Sequence, residues 1–200
     1  PDLELVGIID PVITDEQIAG VKTYKSLTEL NTVADGIILA TPTDTHADLT
    51  IKSLEMGMHV LVEKPVAASL LEADKMIIAS KKTGLNVLVG HHRRHHPLVS
   101  ETINILNSGR IGRPVAASLM WLMRKQDEYF DVDWRKGIDG GPVKQNLIHD
   151  VDTLRAFFGE IVSVVVGKRE EFSETVHFSH YLKLQNSGTY GIDKLQDITH

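Results

Sequence analysis

ADGIILATPTDTHADLTIKSLEMGMHVLVEKP, at residues 34–65, has the pattern of a strand, a loop, a helix and a second strand. The two strands, Ile37–Ala40 and His59–Val62, are short and almost wholly apolar, as is typical of parallel strands buried on both faces. Between them, Asp48–Met56 carries apolar residues at helical spacing, and Gly57 follows it as a helix C-cap would. The pattern predicts a βαβ unit of an α/β fold.

Polar residues are gathered directly after each of the two strands. Thr41–His46 follows the first strand, and Glu63–Pro65 follows the second. Because ligands of open parallel sheets bind outside the carboxyl ends of the strands, we expect these two segments to line one crevice. Pro65 fixes the backbone where the second strand ends, which favours a crevice role for Lys64 over that of a plain surface lysine.

The rest of the chain has weaker but regular signals. Ser26 and Glu29 have the spacing of a capping box on a short helix. Apolar periodicity predicts helices at residues 69–83 and 98–107, and strands at residues 5–10, 21–24, 86–90, 161–166, 176–184 and 189–195.

Composition excludes several classes of protein. The 200 residues include no cysteine, which rules out disulfides and thiolate metal sites and fits a cytoplasmic location. A net charge of −6 gives no reason to expect a nucleic-acid partner. No stretch is long and apolar enough to span a bilayer, so we expect no membrane partner.

ATPTDTHADL followed by HVLVEKPVA resembles the Gfo/Idh/MocA family of nicotinamide-dependent oxidoreductases. Asp133-Trp134-Arg135, Gly140-Gly141-Pro142 and residues 145–152 resemble the substrate-domain signature of that family. The resemblance implies a Rossmann-type parallel sheet over residues 1–96, followed over residues 97–200 by an α+β domain with a mostly antiparallel sheet. It also implies an NAD(P)-dependent dehydrogenase acting on CH–OH groups, and a homo-oligomer.

The beginning of the chain bears on the choice of cofactor. The strand at residues 5–10 ends in Asp10, where the second strand of a dinucleotide fold carries an acid for the ribose hydroxyls. Such an acid selects NAD rather than NADP, although a simple strand-terminating acid would look the same. No G-x-G-x-x-G precedes Asp10, so we expect the first strand of the sheet to be missing. We therefore expect the chain to be a fragment, truncated at both ends and inactive by itself.

Residues 91–97 read HHRRHHP, which places four histidines and two arginines in a row before a proline. The block resembles the Arg-rich segment that borders the nicotinamide and substrate in the family. Histidines four apart on a helix can share a metal ion, but Pro97 favours a turn that enters a helix. A polar cleft lining is the favoured interpretation, with a metal site and a solvated turn as alternatives, and we predict no metal.

The resemblance assigns roles to residues by position. Lys64 supports the reacting oxygen, and His149 acts as the acid or base. The residues implied in cofactor binding are Asp10, Thr41, Pro42, Thr43, His46, Glu63, Lys64, Arg93, Trp134 and Arg135. Those implied in substrate binding are Lys64, His92, Arg94, Asn146, His149 and Asp152.

Gln145 departs from the family pattern. Inositol-oxidising members carry an aspartate four residues before the helix histidine, whereas glutamine cannot carry charge. Two hypotheses therefore remain open. One is an NAD-dependent dehydrogenase of a sugar, polyol or cyclitol. The other is a non-catalytic nucleotide- or sugar-binding regulatory relative, in which His149 is a capped or core histidine.

Overall fold

The computed structural model describes residues 3–115, 117, 119, 126, 128, 131, 146–166, 171–172, 175–176 and 180–184. The chain forms two compact units, residues 1–90 and residues 91–200. The predicted domain boundary after residue 96 stays a prediction. Trp134, Arg135, Gln145 and the strand predicted at residues 189–195 lie outside the described residues.

The first unit is built on a parallel sheet of three strands: β4 (Gly36–Leu39), β5 (His59–Val62) and β6 (Val87–Val89), in that order. Helix α1 (His46–Glu55) connects β4 to β5, and helix α2 (Leu70–Thr83) connects β5 to β6. This is a Rossmann-type α/β arrangement, as the sequence predicts. Helix α1 begins two residues before its predicted start because a 3₁₀ turn at Thr43–Thr45 leads directly into it.

The core of this unit lies between the sheet and its two helices. Its fully buried members come from β4, β5, α1 and α2: Leu39, Ala47, Leu54, Val60, Val62 and Met76. The alternate strand residues Ile38, Leu61 and Leu88 point to the other face and are exposed. The prediction that both faces are buried is therefore wrong in this part of the chain, since an unbroken apolar run does not reveal which face is covered.

Helix α2 shows how local sequence sets an element's ends. The Ser69 hydroxyl accepts a hydrogen bond from the Glu72 amide, and the Glu72 carboxylate accepts from the Ser69 amide, which completes a capping box. Gly84 ends the helix with φ +73°, a left-handed conformation that favours glycine.

A second, smaller sheet precedes this one. It contains β1 (Ile8–Ile9), β2 (Gln17–Ile18) and β3 (Val21–Tyr24), with β1 parallel and β2 antiparallel to β3. Among the described residues it shares no strand pairing with the β4–β6 sheet. The capping box predicted at Ser26 and Glu29 is wrong: the segment forms only a 3₁₀ turn, and Glu29 accepts instead from the Lys25 amide.

The second unit begins with a 3₁₀ turn at His92–His95 and helix α3 (Pro97–Asn107), with Pro97 at the first helical position. Helix α4 (Ile148–Phe158) is followed by β7 (Ile161–Val166), β8 (Glu171–Phe172), β9 (Thr175–Val176) and β10 (His180–Leu184). The pairs β7–β10 and β8–β9 are antiparallel, as expected for this unit. Within the described part of the chain, no helix is long and apolar enough to cross a membrane.

Candidate functional site

The loop after β4 is held together by its own hydrogen bonds. The Thr45 amide donates to the Pro42 carbonyl at 2.9 Å, and the Thr45 hydroxyl lies 2.7 Å from both that carbonyl and the Thr41 hydroxyl. Thr41 and Pro42 are exposed, and Thr43 is half-buried. The sequence-predicted cofactor residues of this loop therefore lie on an ordered turn at the carboxyl end of a parallel strand, where ligands of such sheets bind.

His46 is the first residue of α1, and its side chain is 1% exposed. Its Nδ1 lies 2.9 Å from the Pro65 carbonyl oxygen, and its Nε2 lies 2.9 Å from the Thr41 carbonyl oxygen. The ring thus contacts the main chain of both loops that were predicted to line the crevice. Direct contact between His46 and a cofactor stays a prediction.

Glu63, Lys64 and Pro65 follow the middle strand of the sheet, β5. The Lys64 amide donates to the Glu63 carboxylate at 3.2 Å, and the Lys64–Pro65 peptide bond is cis. A Cβ added at Gly90 would lie 3.0 Å from Glu63 Oε1, so the glycine lets this carboxylate rest against the end of β6. Lys64 itself is half-buried beside the exposed Glu63.

Asp10 lies just after β1 and is half-buried. Its Oδ1 accepts a hydrogen bond from the Val12 amide at 2.8 Å, and its own amide donates to the Tyr24 carbonyl at 3.0 Å. These are the local bonds of a strand-terminating acid. Its selection of NAD stays a prediction.

In the second unit, the turn that carries the Arg-rich block is bound to α4 by two ion pairs. Arg93 Nη1 lies 2.5 Å from Asp150 Oδ1. Arg94 donates from Nε to Asp152 Oδ2 at 2.7 Å and from Nη2 to Asp152 Oδ1 at 2.8 Å, a two-pronged geometry that favours guanidinium over ammonium. Arg94 and Asp152, both predicted to bind substrate, are thus bonded to each other.

The ion pair between Arg94 and Asp152 shifts the pKa of both groups. Burial of Asp152 would raise its pKa, but the hydrogen bond from Arg94 and the charges of His91, Arg94 and Arg155 outweigh burial and hold that pKa below its ordinary value. The hydrogen bond to Asp152 likewise raises the pKa of Arg94. Both groups are therefore ionised over the whole physiological range.

His149 is the second residue of α4, and its side chain is nearly buried. The His92 ring centroid lies 4.8 Å from that of His149, and the His91 centroid lies 6.2 Å away, both in edge arrangements. Asn146, just before the helix, has a buried side-chain nitrogen with no hydrogen-bond partner among the described residues. The structure therefore brings the predicted residues His92, Asn146 and His149 into one polar region, at the start of α4.

Two features of this region were missed by sequence reasoning. Asp150 was given no role, and His91 was not singled out as a neighbour of His149. No local signal could have found Asp150, because its partner Arg93 lies 57 residues earlier in the chain. Among the described residues, no group of three or more acidic or histidine side chains is placed to hold a metal ion.

Family models match residues in both units. The family described as "Oxidoreductase family, NAD-binding Rossmann fold" matches residues 1–91, and the "GFO/IDH/MocA C-terminal domain" matches residues 100–190. The chain belongs to the Gfo/Idh/MocA oxidoreductase family. The resemblance noted at ATPTDTH and EKP is thereby confirmed over nearly the whole chain.

One relative of this chain is Oxidoreductase P35 of Formosa agariphila, which is 26% identical over 84% of this chain and 56% of its own length. The 1,5-anhydro-D-fructose reductase of Ensifer adhaerens is 31% identical over 60% of this chain and 37% of its own length. Myo-inositol 2-dehydrogenase of Thermotoga maritima is 28% identical over 75% of this chain and 44% of its own length. The chain thus spans about half the length, or less, of these curated relatives.

Solved structures of the family share the fold. The WlbA dehydrogenase of Bordetella pertussis, in complex with NADH and UDP-GlcNAcA, has a TM-score of 0.77 at 24% identity. The match covers 92% of this Gfo/Idh/MocA chain and 57% of that one. At this level of identity the likeness establishes the fold.

Proposed function

We propose that the protein containing this chain is an NAD-dependent dehydrogenase that transfers hydride between nicotinamide and a hydroxyl carbon of a sugar, polyol or cyclitol. The observation that carries the proposal is the position of Lys64, half-buried at the carboxyl end of the middle strand of a parallel sheet. The neighbouring strand ends in the exposed Thr41-Pro42 turn, which lies at the same edge.

The exposed groups at the strand ends support a place for the nicotinamide end of the cofactor. Thr41 and Pro42 are exposed after β4, Glu63 is exposed after β5, and Gly90 has no side chain where β6 ends. Thr41, Thr43 and Glu63 would hold the nicotinamide end of NAD, and Asp10 would hold the adenosine ribose. Bound nicotinamide would supply the hydride acceptor or donor.

Lys64 would act on the oxygen of the substrate. An ammonium that donates a hydrogen bond to the hydroxyl oxygen stabilises the negative charge that develops there as the hydroxyl proton is removed. Pro65 restricts the backbone on one side of Lys64, and the strand restricts it on the other. These restraints support a positioned amine over a freely moving surface lysine.

His149 would move the proton of the substrate hydroxyl. Imidazole is suited to this step because its ordinary pKa lies near neutral pH. The ion pairs of Arg93 with Asp150 and of Arg94 with Asp152 hold the turn against α4, so His92 remains beside His149. Within the site, Arg93 and Arg94 then serve to keep the histidines in place as well as to contribute positive charge.

Two relatives of the family and the polar groups around His149 support the proposed substrate class. One relative is named a myo-inositol dehydrogenase and another a 1,5-anhydro-D-fructose reductase, both acting on molecules with several hydroxyl groups. His92 and the buried amide of Asn146 offer hydrogen bonds of the kind that such hydroxyls need. These features support a polyhydroxylated substrate.

The experiment is an assay of the full-length natural protein with NAD and a panel of sugars, polyols and cyclitols. We expect NADH formation with at least one of them, and loss of turnover with retained NAD binding in H149N. The matched control is H180N, a histidine of strand β10. A folded protein that binds NAD and the sugar but turns over nothing would favour the regulatory relative instead.

A further inference from the structure

Among the described residues outside the proposed chemistry, the most completely buried ionisable side chain is that of His46. Its side chain is 1% exposed, so the ring is packed among protein atoms. Each of its ring nitrogens lies 2.9 Å from a main-chain carbonyl oxygen, one in the loop after β4 and one in the loop after β5. A buried imidazole needs such partners, and here both belong to loops at the proposed site.

We propose that His46 is a positioning residue, which ties Thr41 to Pro65 and thereby fixes Lys64 relative to the Thr41-Pro42 turn. The inference rests on the proposed function only in giving Lys64 its role. The tie itself is independent of any cofactor. The ring adds to the backbone hydrogen bond from the Glu63 amide to the Leu39 carbonyl, which joins the start of the second loop to the end of β4.

The location of His46 suits this task. Its backbone belongs to the first turn of α1, and its neighbour Ala47 is packed in the core, so the ring projects from a fixed base. Pro65 directly follows Lys64, which places the carbonyl held by His46 Nδ1 one residue from the lysine. Movement of that carbonyl would therefore move the Lys64 backbone.

The two contacts can be separated chemically. Carbonyl oxygens only accept hydrogen bonds, and a neutral imidazole donates from one nitrogen at a time, whereas imidazolium donates from both. An asparagine amide nitrogen occupies nearly the position of Nδ1, and a glutamine amide nitrogen nearly that of Nε2. H46N thus preserves a donor toward Pro65, and H46Q preserves one toward Thr41.

The experiment is amide hydrogen exchange, read residue by residue by NMR, on this chain and its variants H46L, H46N and H46Q. In H46L we expect exchange at Lys64 and Thr45 to rise about tenfold or more, as for the loss of one or two hydrogen bonds. Exchange at Val60, whose amide donates to Asn86 within the sheet, should stay unchanged. H46N should restore slow exchange at Lys64, or H46Q at Thr45, according to which nitrogen donates.

The control for general destabilisation is L54A, which removes a core side chain of the same helix. L54A should raise exchange throughout the first unit, including at Val60. The proposal is overturned if H46L leaves both loops unchanged, if its pattern matches that of L54A, or if neither amide variant improves on leucine. None of these outcomes depends on NAD, so failure here is distinct from failure of the dehydrogenase assay.

Discussion

Arg94 binds both carboxylate oxygens of Asp152, 58 residues away, through Nε at 2.7 Å and Nη2 at 2.8 Å. The carboxylate is 4% exposed, whereas the guanidinium is 41% exposed. The pair joins the turn at His92–His95 to helix α4, and so supports the arrangement of His92 beside His149.

Removing one charge of this pair should destabilise the second unit. D152N leaves Arg94 without its ionic partner, and we expect a loss of about 1–3 kcal/mol, below the value for a fully buried pair because Arg94 is partly exposed to water. Urea unfolding followed by fluorescence measures it. E160Q is the matched control, since Glu160 pairs with Arg155 but is 66% exposed. Equal unfolding midpoints for D152N and E160Q would contradict the prediction.

The Arg94–Asp152 pair should make the free energy of unfolding depend on pH in the acid range. The folded-state pKa of Asp152 lies below its ordinary value of 3.8, so its contribution is present above that value and is lost as pH falls through the folded pKa. The pKa of Arg94 is raised, so its contribution is lost only at strongly alkaline pH. Urea midpoints measured from neutral pH down into this acid range should therefore fall more steeply for the parent than for D152N. Parallel curves would count against the role of Asp152.

Lys64 should affect the chemical step rather than cofactor binding. In the full-length protein, we expect K64M to lower kcat by a factor of about 10² to 10³, the usual contribution of one positioned hydrogen-bond donor to a developing oxyanion. The affinity for NAD, measured by calorimetry, should change little. K52M is the control, because Lys52 is an exposed residue on helix α1. A K64M enzyme with normal kcat would remove Lys64 from the reaction.

Two glycines should differ in their tolerance of alanine. A Cβ at Gly90 meets the flexible Glu63 carboxylate at 3.0 Å, whereas a Cβ at Gly36 meets the His59 carbonyl oxygen at 3.2 Å. Because a side chain can swing aside and a strand backbone cannot, G36A should cost about 1–3 kcal/mol and G90A less than about 1 kcal/mol. Thermal unfolding of the two variants tests the order. The reverse order would show that Glu63 is held more rigidly than its exposure suggests.

Much of the first unit could be predicted because its signals are local. The strand and helix pattern of residues 36–62 needs only periodicity, and the ends of α2 follow from Ser69, Glu72 and Gly84. Pro97 likewise marks the start of α3. In each case the deciding interactions lie within a few residues of one another.

The remaining features depend on contacts between distant parts of the chain. Nothing near Asp152 in the sequence indicates that Arg94 will bind it, and nothing near His46 indicates the Pro65 carbonyl 19 residues later. The exposed face of the β4–β6 sheet was missed because apolar strands look alike whether one face or two are covered. The failed capping box at Ser26 shows that a matching spacing does not suffice when only a 3₁₀ turn follows.

Hydride transfer itself is tested most directly with a polyol deuterated at its hydroxyl carbons. Full-length protein, NAD and the labelled polyol are incubated together, and the NADH is examined by mass spectrometry. We expect deuterium in the NADH from the parent protein and almost none from K64M or H149N at the same time point. A folded protein that binds NAD and the polyol, yet yields no deuterated NADH with any polyol, sugar or cyclitol tried, would contradict the proposed dehydrogenase.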